Sequence, residues 1–110
     1  MSARVTSGFW ISAFRQHMDA LNIPVYIRAH GDETAGAILL KIDTLDGKSQ
    51  TYTLGHDIDG RETWVELASG PDAEVEASLQ RQMKTDPDLW IIEVEDRSGQ
   101  ALFTAGQIPR

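Results

Sequence analysis

Residues 37–54 read AILLKIDTLDGKSQTYTL, and their alternation decides the fold. Successive side chains of an extended strand point to opposite faces. Ala37–Asp43 therefore sets Ile38, Leu40 and Ile42 on one face against Leu39, Lys41 and Asp43 on the other. Asp46-Gly47 supplies the residue pair that a tight hairpin turn needs. Alternation resumes in Ser49–Ile58, with Tyr52 and Leu54 opposite Thr51 and Thr53. A second turn signal, Asp59-Gly60, leads into Glu62–Ala68, where Val65 and Leu67 lie opposite Trp64 and Glu66. Strands joined by such short turns pair antiparallel, so this spacing predicts a meander.

The pattern extends both ways. Upstream, Val25–His30 alternates Val25, Ile27 and Ala29 against Tyr26, Arg28 and His30, and a polar loop, Gly31–Gly36, follows. Before it, Thr6–Asn22 has the helical period, with Thr6 or Ser7 as N-cap and Pro24 as the stop. Trp10, Phe14, His17 and Leu21 share one line, widened by Phe9 and Ala13 on one side and Ile11 and Met18 on the other. This arc is twice the ~100° stripe of a surface helix, which predicts contact with more than one neighbour. Downstream, Ser69-Gly70-Pro71-Asp72 opens a second helix running to Thr85, with a narrow stripe of Val75, Leu79 and Met83. Leu89–Glu95 forms a last strand, with Trp90, Ile92 and Val94 on one face. Ser98-Gly99 turns the chain, and two readings of residues 100–110 stand open, a short edge strand through Leu102 and Phe103 or a loose tail. The expectation is one α+β domain spanning 1–110. Two helices pack on an antiparallel, largely meander sheet of about five strands, in the order α-β-β-β-β-α-β.

Composition narrows function by exclusion. The 110 residues carry a formal charge of −7 and no cysteine. No disulfide framework, thiolate zinc site, iron–sulfur cluster or cysteine nucleophile can be built. Ten basic residues scattered among 17 acidic ones oppose binding to nucleic acid or to an anionic membrane. The start of the chain lacks a secretory signal pattern, and the longest apolar run, Ala37–Leu40, is far short of a bilayer span. The expected location is the cytoplasm.

Three blocks carry a resemblance. They are Arg4-Val5-Thr6-Ser7-Gly8-Phe9-Trp10, the stretch from Ile23-Pro24-Val25-Tyr26 to Gly36-Ala37, and Asp86-Pro87-Asp88-Leu89-Trp90-Ile91-Ile92-Glu93-Val94-Glu95-Asp96-Arg97. Together they resemble domain-of-unknown-function family 1491, small proteins known mainly from alphaproteobacteria. The likeness covers residues 4–97. It implies one domain in a bacterial cytoplasm, and no reaction, ligand or partner.

The residues themselves offer few candidates for chemistry. His17 sits centrally in the apolar arc of the first helix, which reads as a core histidine bonded through one ring nitrogen. His30 with Asp32, and His56 with Asp57, place nitrogen and oxygen ligands in two loops that could share a divalent metal if they converge. Asp57-Ile58-Asp59-Gly60 echoes part of a calcium loop, but Gly55 falls where its first carboxylate belongs and the flanks read as strands. Glu93 and Glu95 lie about 7 Å apart on one strand face, and Asp86 is followed closely by Asp88. A solvated acidic surface accounts for both pairs. The nucleophile elbow, P-loop and dinucleotide glycine motifs are absent from the sequence.

Two features point to association. One is the surplus apolar width of the first helix through Phe9, Ile11 and Met18. The other is the sheet face assigned to Tyr26, Arg28, Lys41, Thr51, Thr53 and Trp64, since aromatics beside arginine are enriched in interfaces. The expected function is a non-catalytic interaction module that self-associates or binds an unidentified protein, with Phe9, Ile11, Met18, Tyr26, Arg28 and Trp64 as its surface and no cofactor. The alternative is a small-ligand or metal-binding regulator using His30, Asp32, His56 and Asp57.

Overall fold

Helix α1 (Ser7–Ala20) starts where Thr6 accepts the Phe9 amide on its hydroxyl at 3.2 Å. Just past its C-cap, Leu21, Asn22 takes a positive φ of 58° that turns the chain so that the Ile23 amide reaches back to the Met18 carbonyl. The computed structural model describes residues 5–56 and 58–99. Beyond α1 come β1 (Val25–Ala29), β2 (Ile38–Asp43), β3 (Lys48–His56), β4 (Glu62–Pro71), helix α2 (Asp72–Thr85) and β5 (Trp90–Glu95). Both helices and all five strands lie where the sequence reading places them, with β1, β2 and β5 each one residue shorter; β3 stops at His56, and β4 runs on through Ser69-Gly70-Pro71, which that reading assigns to the opening of the second helix. Residues 100–110, over which an edge strand and a tail were both open, lie outside the described residues.

The strands form one mixed sheet in the order β1-β5-β2-β3-β4. β2, β3 and β4 make the expected antiparallel meander, and Gly47 and Gly60 supply positive φ at its two turns. β5 departs from it by inserting between β1 and β2. It runs antiparallel to β1 and parallel to β2, with Leu39 beside Ile91 and Lys41 beside Glu93. The reason is burial on both faces. Trp90, Ile91, Ile92 and Val94 are all buried, as are Ile38 to Ile42, and strands apolar on both sides belong inside a sheet.

A helix covers each face. Trp10, Ile11, Phe14 and Met18 of α1 pack on Ile38, Leu40, Ile42, Trp90, Ile92 and Val94, with Tyr52 and Trp64 at the margin. On the other face a smaller cluster joins Leu79 of α2 to Leu39, Leu89 and Ile91, with Ala29 and Met83 beside it.

Two expectations are corrected here. Trp64 is on the α1 face, where its ring lies 5.8 Å from that of Trp10, because β4 pairs Trp64 with Leu54 and Val65 with Thr53. The width of α1 is not surplus either. Ile11 and Met18 are buried against the sheet, while Phe9 on the other flank is 62% exposed.

Neighbouring positions on α1 should therefore respond differently to truncation. Ile11→Ala is expected to cost about 2–4 kcal/mol in urea unfolding, whereas Phe9→Ala should stay within about 0.5 kcal/mol of the wild type. Equal losses would contradict the assignment of faces.

Candidate functional site

The densest polar constellation lies beneath the first turns of α2. Lys41 interrupts the apolar run of β2 and points to the α2 side, opposite Glu93 of β5 and Thr51 of β3. Asp72 and Glu76 stand four residues apart on α2 and so share a helix face above it. The Lys41 side chain is only 2% exposed. Its Nζ lies 2.8 Å from Asp72 Oδ1 and 3.6 Å from Glu93 Oε1, and it also donates to Glu76. Arg28 reaches in from β1 and grips Glu76 with both terminal guanidinium nitrogens, at 2.8 and 2.9 Å, while also donating to Glu93. Ser49 Oγ donates to Asp72 at 2.9 Å.

The charges set one another. Burial pushes the Lys41 ammonium toward neutrality, but its bonds to Asp72 and Glu76 and the charge of Glu93 outweigh this and raise its pKa. The Arg28 guanidinium, aided by Lys41 and opposed by burial, lowers the Glu76 carboxyl to about 2. Lys41 and Ser49 likewise lower Asp72. At neutral pH the lysine stays an ammonium, so it is no nucleophile or base, and the two lowered carboxyls stay anions, so they are no general acids. The arrangement acts as a clamp that fastens the start of α2 to the sheet.

The sequence-predicted surface residues do not form one patch. Ile11 and Met18 are interior, and Trp64 is half-buried beside Trp10 on the α1 face. Tyr26 and Arg28 serve the α2 side, where the Tyr26 hydroxyl donates to Glu95 at 2.7 Å and Arg28 belongs to the clamp. The bond to Glu95 raises the Tyr26 pKa. Phe9 remains exposed on α1. His17 is half-buried, and its Nε2 is buried without a hydrogen-bond partner among the described residues.

Of the metal candidates, His30 is exposed, with its ring 4.1 Å from that of Trp90 and Nε2 3.1 Å from Glu33. Asp32 accepts the Thr34 and Ala35 amides on its carboxylate. Asp57 and the His56 side chain lie outside the described residues. Among the described residues no group of three His, Asp or Glu is placed to hold a metal. The acid pairs are engaged as well, Glu93 with Arg28 and Lys41, Glu95 with Tyr26, and Asp86 with the Asp88 amide at 3.0 Å.

The loop at 31–36 instead ties the molecule together. The Asp32 carbonyl accepts the Trp90 indole at 2.7 Å, and the Asp32 amide donates to the Asp88 carbonyl at 3.1 Å. Ser7 Oγ donates to the Gly36 carbonyl at 2.6 Å, and the Gly8 amide to that of Glu33 at 2.9 Å. A Cβ on Gly31 or Gly36 would lie 2.3 or 2.4 Å from the Asp88 oxygen, so neither position has room for a side chain. The three blocks that carry the family resemblance meet at this knot. A separate open groove of about 420 Å³ runs between the polar side of α1, at Arg15 and Asp19, and Ile23–Val25.

The fold is thus an α+β domain whose mixed five-stranded sheet carries a helix on each face. The profile of the family described as "Protein of unknown function (DUF1491)" matches residues 5–104, and the chain belongs to that family. A crystal structure of a DUF1491 family protein from Caulobacter crescentus CB15 is similar at 26% identity and a TM-score of 0.80, over 89% of this chain and 94% of that one. An NMR structure of a DUF1491 family protein from the same organism shares the fold at 24% identity and a TM-score of 0.77, over 92% and 94%. The solution structure of protein Atu0922 from A. tumefaciens matches at 25% identity and a TM-score of 0.73, over 91% and 92%. No curated protein matches the chain. Among the described residues no helix is long and apolar enough to cross a membrane.

Because the folded pKa of Glu76, about 2, lies below its ordinary value, its contribution to stability is full above that ordinary value and is lost as pH falls through about 2. Asp72 adds in the same direction. Stability should therefore drop between about pH 4.5 and 2, and Glu76→Gln should flatten the drop in acid titrations of urea unfolding. An unchanged slope would remove Glu76 from the account. Gly31→Ala should lower stability by about 2 kcal/mol or more through backbone displacement at Asp88, and a neutral outcome would show that the loop yields freely.

Proposed function

We propose that this protein is a non-catalytic interaction module that offers the outer edge of β4 to an extended segment of another chain, with self-association included. The observation that supports the reading is the exposure of that edge. β4 is ten residues long and ends the sheet. Among the described residues nothing pairs with its outer side, and Val65 and Leu67 are 43% and 41% exposed. An open ladder of amides and carbonyls is a template for strand addition, with side-chain pockets adding specificity. The charged groups under α2 support the same reading, since each is engaged with another in fastening the helix to the sheet. The metal-regulator alternative gains less support, because Asp32 already serves its own turn.

Native mass spectra of the protein purified without chelator test the proposal. The wild type is expected to carry a second copy or another protein, and Val65→Lys is expected to lose that added mass while keeping its circular dichroism. A wild type that is bare in every preparation, or a variant that keeps its partner, would overturn the reading.

A further inference from the structure

We infer that the groove between α1 and the start of β1 is a binding site for a small zwitterion with an apolar side chain, a ligand of the chemistry of a short apolar peptide. The site is separate from the β4 edge and does not depend on it. Its origin is the off-centre seat of α1. Trp10, Ile11, Phe14 and Met18 pack over β2 and β5, so the same face of β1 is left partly open, with Ile27 38% exposed and Val25 half-buried. One wall is the polar stripe of Ser12, Arg15, Gln16 and Asp19, whose spacing of three and four residues keeps them on one side of the helix. The floor is Ile23, Pro24 and Val25. Both are fixed without a ligand. The Ile23 amide is bonded to the Met18 carbonyl at 3.0 Å, the Pro24 carbonyl accepts the Glu95 amide at 3.3 Å, and Val25 pairs with Val94. A preformed site loses little binding energy to ordering itself.

Charge selects the ligand. Arg15 and Asp19 stand one helical turn apart, where opposite charges commonly pair. Among the described residues, neither side chain makes an ion pair or a hydrogen bond. The groove therefore holds one free charge of each sign beside an apolar floor. A zwitterion satisfies all three features, with its carboxylate on the Arg15 guanidinium, its ammonium on Asp19 and its side chain on Ile23 and Val25. Simpler ligands fit less well. A plain anion meets the repulsive field of a molecule at −7, and a plain cation leaves Arg15 without a partner. A zwitterion carries no net charge, so that field does not oppose it. Size favours a dipeptide over a single amino acid. The groove's volume of about 420 Å³ lies within the ~300–1,000 Å³ of small-ligand sites. Ser12 and Gln16 also supply a hydroxyl and an amide for a peptide bond.

Leucyl-leucine is the probe. Titrated into isotope-labelled protein, it should shift the amides of residues 12–19 and 23–25 saturably and leave those of residues 63–67 in place. Arg15 and Asp19 are exposed, so Arg15→Ala and Asp19→Ala should keep the fold. Each should weaken binding about fivefold. Modified probes separate the two contacts from a merely structural effect. N-acetyl-leucyl-leucine lacks the ammonium and should bind the wild type more weakly by the same factor, whereas Asp19→Ala should bind it and the unmodified dipeptide alike. Leucyl-leucinamide lacks the carboxylate and should show the matching pattern with Arg15→Ala. Saturable shifts that fall outside the groove, or none at all, overturn the site. Shifts at the groove with both modified probes equally weakened in every variant overturn the assignment of Arg15 and Asp19, and the zwitterion with it.

Discussion

β2 and β5 run side by side in parallel, and both are buried on both faces over most of their length. Strands of that composition tolerate neither an edge position nor a bare face. The remaining architecture follows from keeping them dry. β1 closes one flank, the β3–β4 hairpin closes the other, and a helix lies on each side. The loop at 31–36 seals one end of the pair, where the Trp90 indole and the Asp88 carbonyl are both taken up by Asp32.

The two helical layers are fastened by different physics. α1 is held by a broad apolar contact in which Trp10, Ile11, Phe14 and Met18 are buried against the sheet. α2 brings only Val75 and Leu79 fully into the interior, and the rest of its attachment is the charge clamp around Lys41. Burying an ammonium costs several kcal/mol before its partners offset it. Three carboxylates gathered around Lys41 and Arg28 therefore contribute less net stability than their number suggests. Their contribution is positional. A stripe of two or three apolar residues leaves the placement of a helix loose, whereas bonds from Asp72 and Glu76 to cations on β2 and β1 are satisfied at one placement.

Much of this was legible in the sequence. Caps, turn pairs and alternation located both helices and the strands, and three short blocks pointed to the family whose profile matches residues 5–104. What escaped depended on contacts distant along the chain. The interior position of β5 was signalled by Leu89 and Ile91 lying opposite Trp90, Ile92 and Val94, because apolar residues on both faces mark a central strand. Trp64 could not be assigned to a face from its own segment, where both alternating sets contain apolar residues and only the register with Leu54 decides. The depth of α1 burial needed the breadth of the sheet beneath it. The clamp draws Arg28, Lys41, Asp72, Glu76 and Glu93 from β1, β2, α2 and β5, and its one local sign was a lysine set among Leu39, Leu40 and Ile42.

A sheet organised around a doubly covered centre has its weakest protection at its ends, and among the described residues β4 is the longer of the two edge strands, with nothing paired to its outer side. Under the proposed function, this edge pairs with a strand of another chain while the interior stays closed. Residue-resolved amide hydrogen exchange, recorded from dilute to concentrated protein, tests that most directly. The slowest amides should lie in Ile38–Ile42 and Ile91–Val94 at every concentration, while the outward amides of Thr63–Leu67 exchange quickly when dilute and slow as concentration rises. Protection of Thr63–Leu67 that is already high in dilute solution, or that never changes with concentration, would contradict it.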